Sequence, residues 1–344
     1  MNAGSSPPSR RPVLALTQGD PAGIGPEILL KLLQEDPRPA GWQPLLVAER
    51  AALEPLRPVL PDFPWERLRY LAGPPSPADL AGDGIPVLDP VGTDRPLAFG
   101  DSGPADAGGA MAALDAGISL VRSGAADALV TAPVSKESIA RHYLPGFVGH
   151  TDYLAEACGL ERYGRDYLMA FLAPDLQVAL LNVHLPLRAA LDGITGEAVA
   201  EALDCLHRHA GGKIALAGLN PHAGEGGLLG TEDGTILAPA VAAGRERGID
   251  VHGPESADSL FARAFRGEFD WVLALYHDQG LIPVKTASFG LATNWTLGLP
   301  FLRTSVDHGT AFALAGRNLA DAGPMAAVVD ATLKLISGEL PKKR

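Results

Sequence analysis

Short apolar runs of strand length alternate with longer amphipathic stretches along most of the chain. The strand-like runs cover residues 12–17, 44–49, 127–132, 177–184, 213–220 and 271–277. Helix-like stretches lie between them, such as PEILLKLLQE (26–35) and GEAVAEALDCLHRHA (196–210). Runs that are apolar throughout and connect through helices are typical of parallel strands buried on both faces. The pattern therefore predicts an α/β fold with a mainly parallel sheet.

Length and composition narrow the class of protein. The 344 residues exceed one typical core and suit two domains. The Pro-rich stretches 55–64 and 73–90 are predicted to be surface connections or an excursion inside the first domain. A net charge of -12 without a long basic run argues against nucleic acid or an anionic membrane as the main partner. Only Cys158 and Cys205 occur, far apart, and we expect reduced thiols in a cytoplasm.

The beginning of the chain, MNAGSSPPSRR, has no apolar core of the kind found in signal peptides, and residues 1–10 are predicted to be a frayed tail. No apolar run reaches the roughly 18 residues that span a bilayer. We expect a cytoplasmic protein with no membrane partner.

Three of the nine histidines follow predicted strands. His184 ends QVALLNVH, His222 lies just beyond KIALAGLN, and His277 ends WVLALYH. In parallel α/β sheets, ligands bind beyond the carboxyl ends of the strands. Imidazole suits divalent transition metals, and three protein ligands leave positions open for water or substrate. These histidines are therefore predicted to bind a metal.

A single histidine at a strand end is more often a hydrogen-bonded loop residue, and that reading stays open for each one. The shared position of all three favours the metal site. The nearby carboxylates of Glu225, Asp258 and Asp278 could orient the imidazole rings or complete the metal shell.

Two loops are rich in small residues. LALTQGDPAGIGPEILLKLL places Gly19, Gly23 and Gly25 between a strand and a helix, where backbone amides could bind an anion. It is neither a GxGxxG motif nor a Walker loop, and a tight turn explains it equally well. Within 301–325, the run His308–Ala311 forms a second small-residue loop through which the backbone could approach a flat ligand.

Three positively charged residues lie outside any run of charged residues. Lys285 follows LIPV and Arg303 follows GLPFL, so each could form charge-assisted hydrogen bonds to a phosphate or carboxylate. Lys136, in TAPVSK after a strand, could face the same ligand. Solvated surface charges are the alternative.

Six motifs together carry a family resemblance. They are GDPAGIGPE, VGHTDYLAE, NPHAGEGG, GPESADSLF, YHDQGLIPVK and LGLPFLRTSVDHGTAF. In this order, between about residues 12 and 325, they resemble the 4-hydroxythreonine-4-phosphate dehydrogenase family of the pyridoxal phosphate pathway. The resemblance implies a two-domain fold similar to isocitrate and isopropylmalate dehydrogenases, with an interdomain cleft. We expect 11–130 plus 300–344 to carry the cofactor loops and 131–299 to carry the metal and dimer interface.

The resemblance also implies roles for individual residues. The metal, zinc first with cobalt, magnesium or manganese as alternatives, is expected at His184, His222 and His277. Substrate contacts are implied for His150, Thr151, Lys285, Asn294 and Arg303. NAD or NADP is expected at Gly19, Asp20, Gly23, Gly25, His308, Gly309, Thr310 and Ala311. The family is a homodimer with a shared active site, so His277 is expected to complete a metal site begun by the other chain's His184 and His222.

The implied activity is oxidation of the C3 hydroxyl of 4-phosphohydroxy-L-threonine by a nicotinamide, followed by loss of CO2 to give 3-amino-2-oxopropyl phosphate. A divalent ion would act as a Lewis acid in both steps. Asp258 or Asp278 is the candidate base, and Lys136 is a further candidate catalytic residue. The nearest alternative is a sister dehydrogenase acting on 4-phospho-D-threonate or erythronate. A noncatalytic metal- or phosphate-sensing module and a metal-dependent hydrolase are alternatives from other classes.

Overall fold

Strands and helices alternate through the computed structural model, which describes residues 10–35, 41–82 and 84–340. The strands are β1 (Val13–Thr17), β2 (Gln43–Val47), β3 (Leu68–Leu71), β4 (Ile85–Leu88), β5 (Ala128–Thr131), β6 (Leu168–Ala173), β7 (Leu176–Leu180), β8 (Ile214–Ala217), β9 (Val251–Glu255), β10 (Trp271–Ala274), β11 (Thr293–Leu297) and β12 (Leu302–Val306). The α-helices are α1 (Gly25–Glu35), α2 (Arg50–Leu53), α3 (Pro77–Ala81), α4 (Pro104–Arg122), α5 (Lys136–His142), α6 (His150–Ala157), α7 (Leu187–Asp192), α8 (Gly196–Ala210), α9 (Ala238–Glu246), α10 (Ala257–Phe265), α11 (His277–Ser288) and α12 (Gly323–Ile336).

The chain forms two units. The first runs as far as Gly149 and resumes over Phe301–Gly338, and the second spans His150–Pro300. Residues 131–149, which the sequence assigned to the second domain, belong to the first unit because α5 packs against α4. The predicted tail, residues 1–10, lies outside the described residues apart from Arg10.

The first unit is built on parallel strands in the order β3-β4-β2-β1-β5-β12. All five residues of β1 and of β2 are buried, including the polar Thr17 and Gln43. Ile28 and Leu29 of α1 and Val328 of α12 join one core cluster with these strands. On α4, a Cβ at Gly117 would lie 2.7 Å from Leu129 Cδ1, so this helix packs closely against β5.

The second unit has the strand order β11-β6-β7-β10-β8-β9. β6 is antiparallel to both of its neighbours, whereas β7, β10, β8 and β9 are parallel to one another. A connection as short as Pro174–Asp175 between β6 and β7 can join only antiparallel strands. With this one exception, the predicted α/β fold with a mainly parallel sheet is confirmed.

Of the two alternatives for 73–90, the structure agrees with an excursion inside the first domain, because this stretch contains α3 and β4 of the first unit. Ile85 and Val87 of β4 are buried in the first unit's core, but a four-residue strand containing Pro86 gives little periodic signal. Leu56 and Phe63, within the other Pro-rich stretch, are buried as well. Among the described helices, none has both the length and the apolar character needed to cross a membrane.

Candidate functional site

The loop after β1 is a tight turn that requires glycine at two positions. At Gly19, with φ of +69°, a Cβ would lie 2.2 Å from Pro133 O. At Gly25 a Cβ would lie 2.0 Å from Gln18 O. Real Cβ atoms do not approach oxygen this closely, so neither site accepts another residue without movement of the backbone. The shape of the loop therefore depends on these glycines.

The two predicted cofactor loops are in contact. Ile24 N donates a hydrogen bond to Thr310 O at 3.0 Å, and a Cβ at Gly23 would lie 3.1 Å from Thr310 Cβ. At Gly309 a Cβ would meet nothing within 4 Å, so the backbone there is open to a ligand. This arrangement suits a dinucleotide lying against small residues, although the role of each residue toward NAD or NADP stays a prediction.

A buried carboxylate that was not predicted from the sequence holds the second of these loops in place. Glu27 on α1 is 1% exposed and accepts hydrogen bonds from Gly316 N at 3.1 Å and Ala320 N at 3.0 Å. Lys31 Nζ lies 3.1 Å from Glu27 Oε1 and donates to Ala320 O at 2.7 Å. An acidic residue inside the apolar stretch PEILLKLL, one turn before a lysine, was the available signal. We call residues 18–25 and 308–320 the carboxylate-braced loops.

Asp20 braces the first loop in the same manner. Its carboxylate accepts hydrogen bonds from Ala22 N at 3.0 Å and Ser102 Oγ at 2.7 Å, and Ser138 Oγ lies 2.8 Å from Ser102 Oγ. Burial raises the pKa of Asp20, and the hydrogen bonds from Ser102 and Ala22 oppose that rise. The predicted cofactor residue Asp20 is thus engaged in holding its own loop to the beginning of α5.

The first unit also contains two of the predicted cations. Arg303 on β12 is 2% exposed, and its Nη2 donates to Thr131 Oγ1 at 2.7 Å. Burial lowers the pKa of Arg303 to about 9, so the guanidinium remains protonated at neutral pH. Lys136 is exposed at the beginning of α5, and a Cβ at Gly149 would lie 3.1 Å from its Cε. Lys136 therefore lies beside the residue that precedes the predicted substrate residue His150.

In the second unit, β7, β10 and β8 are adjacent parallel strands whose carboxyl ends share one edge. They end at Leu180, Ala274 and Ala217, a few residues before the histidines that the sequence placed at their ends. We call the segments that follow them, with His184, His277 and His222, the histidine edge.

Two of these histidines lie together. The rings of His184 and His277 have centroids 5.7 Å apart, and Asp278 Oδ1 lies 2.7 Å from His277 Nδ1. The contact with Asp278 leaves the opposite ring nitrogen, Nε2, facing away from that carboxylate. A cavity of about 340 Å³ lies here, lined by Val183, His184, Leu185, Leu187, Ala190, Tyr276, His277 and Asp278.

The HDQG sequence after β10 is the first turn of α11 rather than a loop. A Cβ at Gly280 would lie 2.6 Å from Leu180 Cδ2 and 2.9 Å from Val178 Cγ1. Glycine is needed because the helix begins directly against β7. The same close packing holds His277 and Asp278 at the carboxyl ends of the strands.

His222 lies in a strained loop after β8. Residues His222–Gly226 all have φ between 44° and 80°. For residues other than glycine this conformation costs about 1–2 kcal/mol each, and such strain is concentrated at functional sites. Asp233, 1% exposed, holds the base of the loop by accepting hydrogen bonds from Leu219 N at 2.8 Å and Asn220 N at 3.0 Å.

His222 interacts electrostatically with Asp258 on α10. The hydrogen bond from Ser256 Oγ, at 2.8 Å, is the largest cause that lowers the pKa of Asp258, and His222 contributes a smaller lowering. Asp258 and Asp278 are both exposed, so burial does not distinguish the two candidate bases.

One chain assembles only part of the predicted metal shell. Across residues 10–35, 41–82 and 84–340, no three His, Cys, Asp or Glu side chains are grouped so that they could hold a metal ion. His184 and His277 nevertheless fit a divalent transition metal in donor chemistry, since they offer two imidazoles beside an orienting carboxylate. His222 is not brought into a group of three with them.

The other predicted substrate residues of the second unit lie on separate elements. His150 and Thr151 begin α6, Lys285 is exposed on α11, and Asn294 lies on β11. Asn294 Oδ1 is buried and has no hydrogen-bond partner within the described part of the chain. A buried amide oxygen without a donor is unfavourable, so this atom is suited to accept a hydrogen bond from a ligand.

Comparison with known proteins decides the family. The model of the family "Pyridoxal phosphate biosynthetic protein PdxA" matches residues 43–332. The chain belongs to the PdxA family. The resemblance seen in the sequence motifs is confirmed.

Named relatives within the PdxA family cover nearly the whole chain. The 4-hydroxythreonine-4-phosphate dehydrogenase of Chromobacterium violaceum is 43% identical over 326 residues, which are 92% of this chain and 94% of that protein. The enzyme of the same name from Aromatoleum aromaticum is 42% identical and covers 94% of this chain and 97% of its own. The crystal structure of the Klebsiella pneumoniae 4-hydroxythreonine-4-phosphate dehydrogenase has a TM-score of 0.81 and 34% identity, covering 94% of this chain and 99% of that one.

Proposed function

We propose that this PdxA family member oxidises and decarboxylates 4-phosphohydroxy-L-threonine to 3-amino-2-oxopropyl phosphate, with NAD or NADP as the acceptor. The names and coverage of its relatives support this substrate over 4-phospho-D-threonate or erythronate. The structural observation that carries the proposal is the pair His184 and His277, whose rings lie 5.7 Å apart at the carboxyl ends of adjacent parallel strands.

The proposed reaction removes a hydride from C3 and then CO2 from C2. The hydrogen at C3 leaves with its electron pair to the nicotinamide, and a base takes the hydroxyl proton. The bond to the carboxylate carbon then breaks, CO2 leaves, and C2 takes up a proton. Asp258 and Asp278 are the candidate bases, and both are exposed enough to pass the proton to solvent. Lys136 remains a candidate for proton transfer.

The substrate, the dinucleotide and the metal would each be bound by residues predicted from the sequence. Substrate contacts are proposed for His150, Thr151, Lys285, Asn294 and Arg303. The carboxylate-braced loops would hold the dinucleotide through Gly19, Asp20, Gly23, Gly25, His308, Gly309, Thr310 and Ala311. A divalent metal, zinc first, would be held by His184, His222 and His277 and would supply Lewis-acid chemistry when bound.

A second copy of the chain would complete the metal site. The expected arrangement joins His277 to the His184 and His222 of the other copy, whereas one chain already places His184 beside its own His277 and does not group His222 with them. We propose that His222 and His277 of one site belong to different copies. The exposed apolar side chains of Leu185 (51%) and Leu187 (56%) line the cavity beside His184. Burial of such side chains against a partner is favourable, which supports a homodimer through this surface.

The proposal is tested by turnover of the purified chain. We expect reduction of NAD or NADP with 4-phosphohydroxy-L-threonine, release of CO2, loss of activity after chelation and recovery with Zn²⁺ or Co²⁺. Preferential turnover of 4-phospho-D-threonate would instead support the sister dehydrogenase. Hydrolysis without any dinucleotide, or undiminished turnover after complete metal removal, would contradict the proposal.

A further inference from the structure

Two side-chain amides of the second unit bind the backbone of the same residue, Leu275. Asn182 Nδ2 donates to Leu275 O at 3.1 Å, and Leu275 N donates to Gln279 Oε1 at 2.7 Å. Gln279 Nε2 also donates to Gly218 O at 2.8 Å, and Asn182 Nδ2 lies 3.2 Å from Ala190 O. We call Asn182, Leu275 and Gln279 the amide clamp.

Asn182, Leu275 and Gly218 each lie between a strand end and a histidine, and Gln279 lies two residues after His277. Leu275 is the first residue after β10 and lies shortly before His277. Asn182 lies between the end of β7 and His184, and Gly218 is the first residue after β8. The clamp therefore connects all three strand ends of the histidine edge.

The clamp begins where the ladder of backbone hydrogen bonds stops. The last backbone bond between β7 and β10 is donated by Leu181 N to Ala274 O at 2.8 Å. At the next position along each strand, the Asn182 side chain replaces the backbone as the partner of Leu275. Leu275 is fully buried, so its amide and carbonyl must be bonded within the protein. Side-chain amides can extend such a ladder while the backbones diverge, because one amide both donates and accepts.

We propose that Asn182 and Gln279 are positioning residues that hold the three segments of each copy's histidine edge in register, so that histidines from the two copies can converge on one metal ion. This inference rests on the proposed function. Substitution of side chains that orient metal ligands commonly changes metal affinity, although those side chains do not touch the ion. Asn182 and Gln279 are therefore expected to affect the metal site more than their hydrogen bonds affect the fold.

The test uses the full-length chain with Co²⁺ as the probe metal. Gln279→Met keeps the side-chain shape but removes both hydrogen bonds that Gln279 makes, and Asn182→Leu removes both that Asn182 makes on the β7 side. Gln279→Glu keeps the acceptor for Leu275 N but removes the donor to Gly218 O. The matched control is Gln177→Met, because Gln177 on β7 is a buried side-chain amide that lies next to the β6–β7 turn and donates to Ala173 O at 3.2 Å.

Three measurements separate positioning from stability. They are Co²⁺ affinity by chelator competition, the visible absorption spectrum of bound Co²⁺, and hydrogen exchange of the Leu275 amide in the metal-free protein. For Gln279→Met and Asn182→Leu we expect Co²⁺ affinity to fall about 10- to 100-fold, with an altered spectrum. Gln279→Met should also speed exchange of the Leu275 amide, because it removes the acceptor of that amide. Gln279→Glu should show an intermediate loss. Gln177→Met should lower the thermal midpoint but keep the wild-type affinity and spectrum.

The outcomes distinguish this inference from the proposed function. Wild-type Co²⁺ affinity and spectrum in both Gln279→Met and Asn182→Leu would overturn the amide clamp alone. Equal changes in Gln177→Met would also overturn it, because they would reflect general loosening of the unit. If the wild-type chain bound no Co²⁺, the proposed metal site would be wrong, and the positioning role proposed for the amide clamp would be wrong as well. If Gln279→Met does not fold, Gln279→Glu and Asn182→Leu decide the question.

Discussion

The carboxylate-braced loops and the histidine edge show two ways of preparing a site. The loops are held by buried acids of the same chain, Asp20 and Glu27, whose partners are backbone amides, the Ser102 hydroxyl and Lys31. The histidine edge joins only two of its imidazoles and leaves apolar side chains exposed beside them. This difference underlies our proposal that one chain suffices to shape the loops for a dinucleotide, whereas the proposed metal site needs a second copy.

The strongest test of this comparison removes an imidazole from the histidine edge. His277→Ala is expected to lower turnover by about a hundredfold to a thousandfold, the usual cost of losing one electrostatic stabiliser. The fold should persist because the His277 side chain is 37% exposed. Activity, metal content and thermal midpoint would be measured together. His252→Ala, which removes a partly exposed histidine paired with Asp250 in the same unit, should leave turnover unchanged.

In the first unit the largest effect is expected on folding rather than on metal binding. Gly19→Ala would place a Cβ 2.2 Å from Pro133 O, whereas Gly92→Ala has the same φ of +69° but nothing within 4 Å. The free energy of unfolding, measured with urea, should fall about 1–3 kcal/mol further for Gly19→Ala because of overpacking. Equal losses for the two variants would mean that the loop after β1 is not tightly packed.

Glu27→Gln tests the brace of the second loop. The amide can accept a hydrogen bond through only one oxygen and loses the charge beside Lys31, so KM for the dinucleotide should rise about tenfold. Metal affinity should not change, since Glu27 belongs to the other unit. Glu66→Gln, at an exposed position of the same unit, is the control. A rise in KM for the phosphorylated substrate alone would show that Glu27 does not act on the dinucleotide loops.

The smallest expected effect is a pH dependence. Burial raises the pKa of Asp20 above its ordinary 3.8, so the folded state binds this proton more tightly than the unfolded state. Asp20 therefore opposes folding increasingly as pH rises from 3.8 through the raised value, and the cost remains above it. Asp20→Asn should remove this component from a plot of unfolding free energy against pH. Superimposable slopes for wild type and variant would contradict the assignment.

The elements predicted most accurately from the sequence are those whose structure depends only on their own segment of the chain. The helix predicted over 196–210 matches α8 (Gly196–Ala210), because Thr195 caps it and its apolar spacing is regular. The antiparallel strand β6 was missed, since pairing direction depends on the neighbouring strand and the short connection that follows. Chain periodicity carries no information about such partners.

In the candidate site, too, the features that depend on distant parts of the chain were not predicted. The three histidines were identified from their position after apolar strands, but the left-handed conformation of His222–Gly226 was not, because it depends on Asp233 and tertiary packing. Glu27 was missed because its partners Gly316 and Ala320 lie at the far end of the chain. Contacts between distant segments determine these features.

The central claim is that His222 and His277 of one metal site come from different copies of the chain, and mixing two inactive variants tests it directly. His222→Ala and His277→Ala would each be purified as homodimers, and then produced together so that mixed dimers form. In a two-fold dimer with shared sites, each mixed dimer has one site with all three histidines, so a random mixture should recover about a quarter of wild-type turnover. Mixed dimers as inactive as either parent would contradict the account, because both histidines would then belong to the same chain's site.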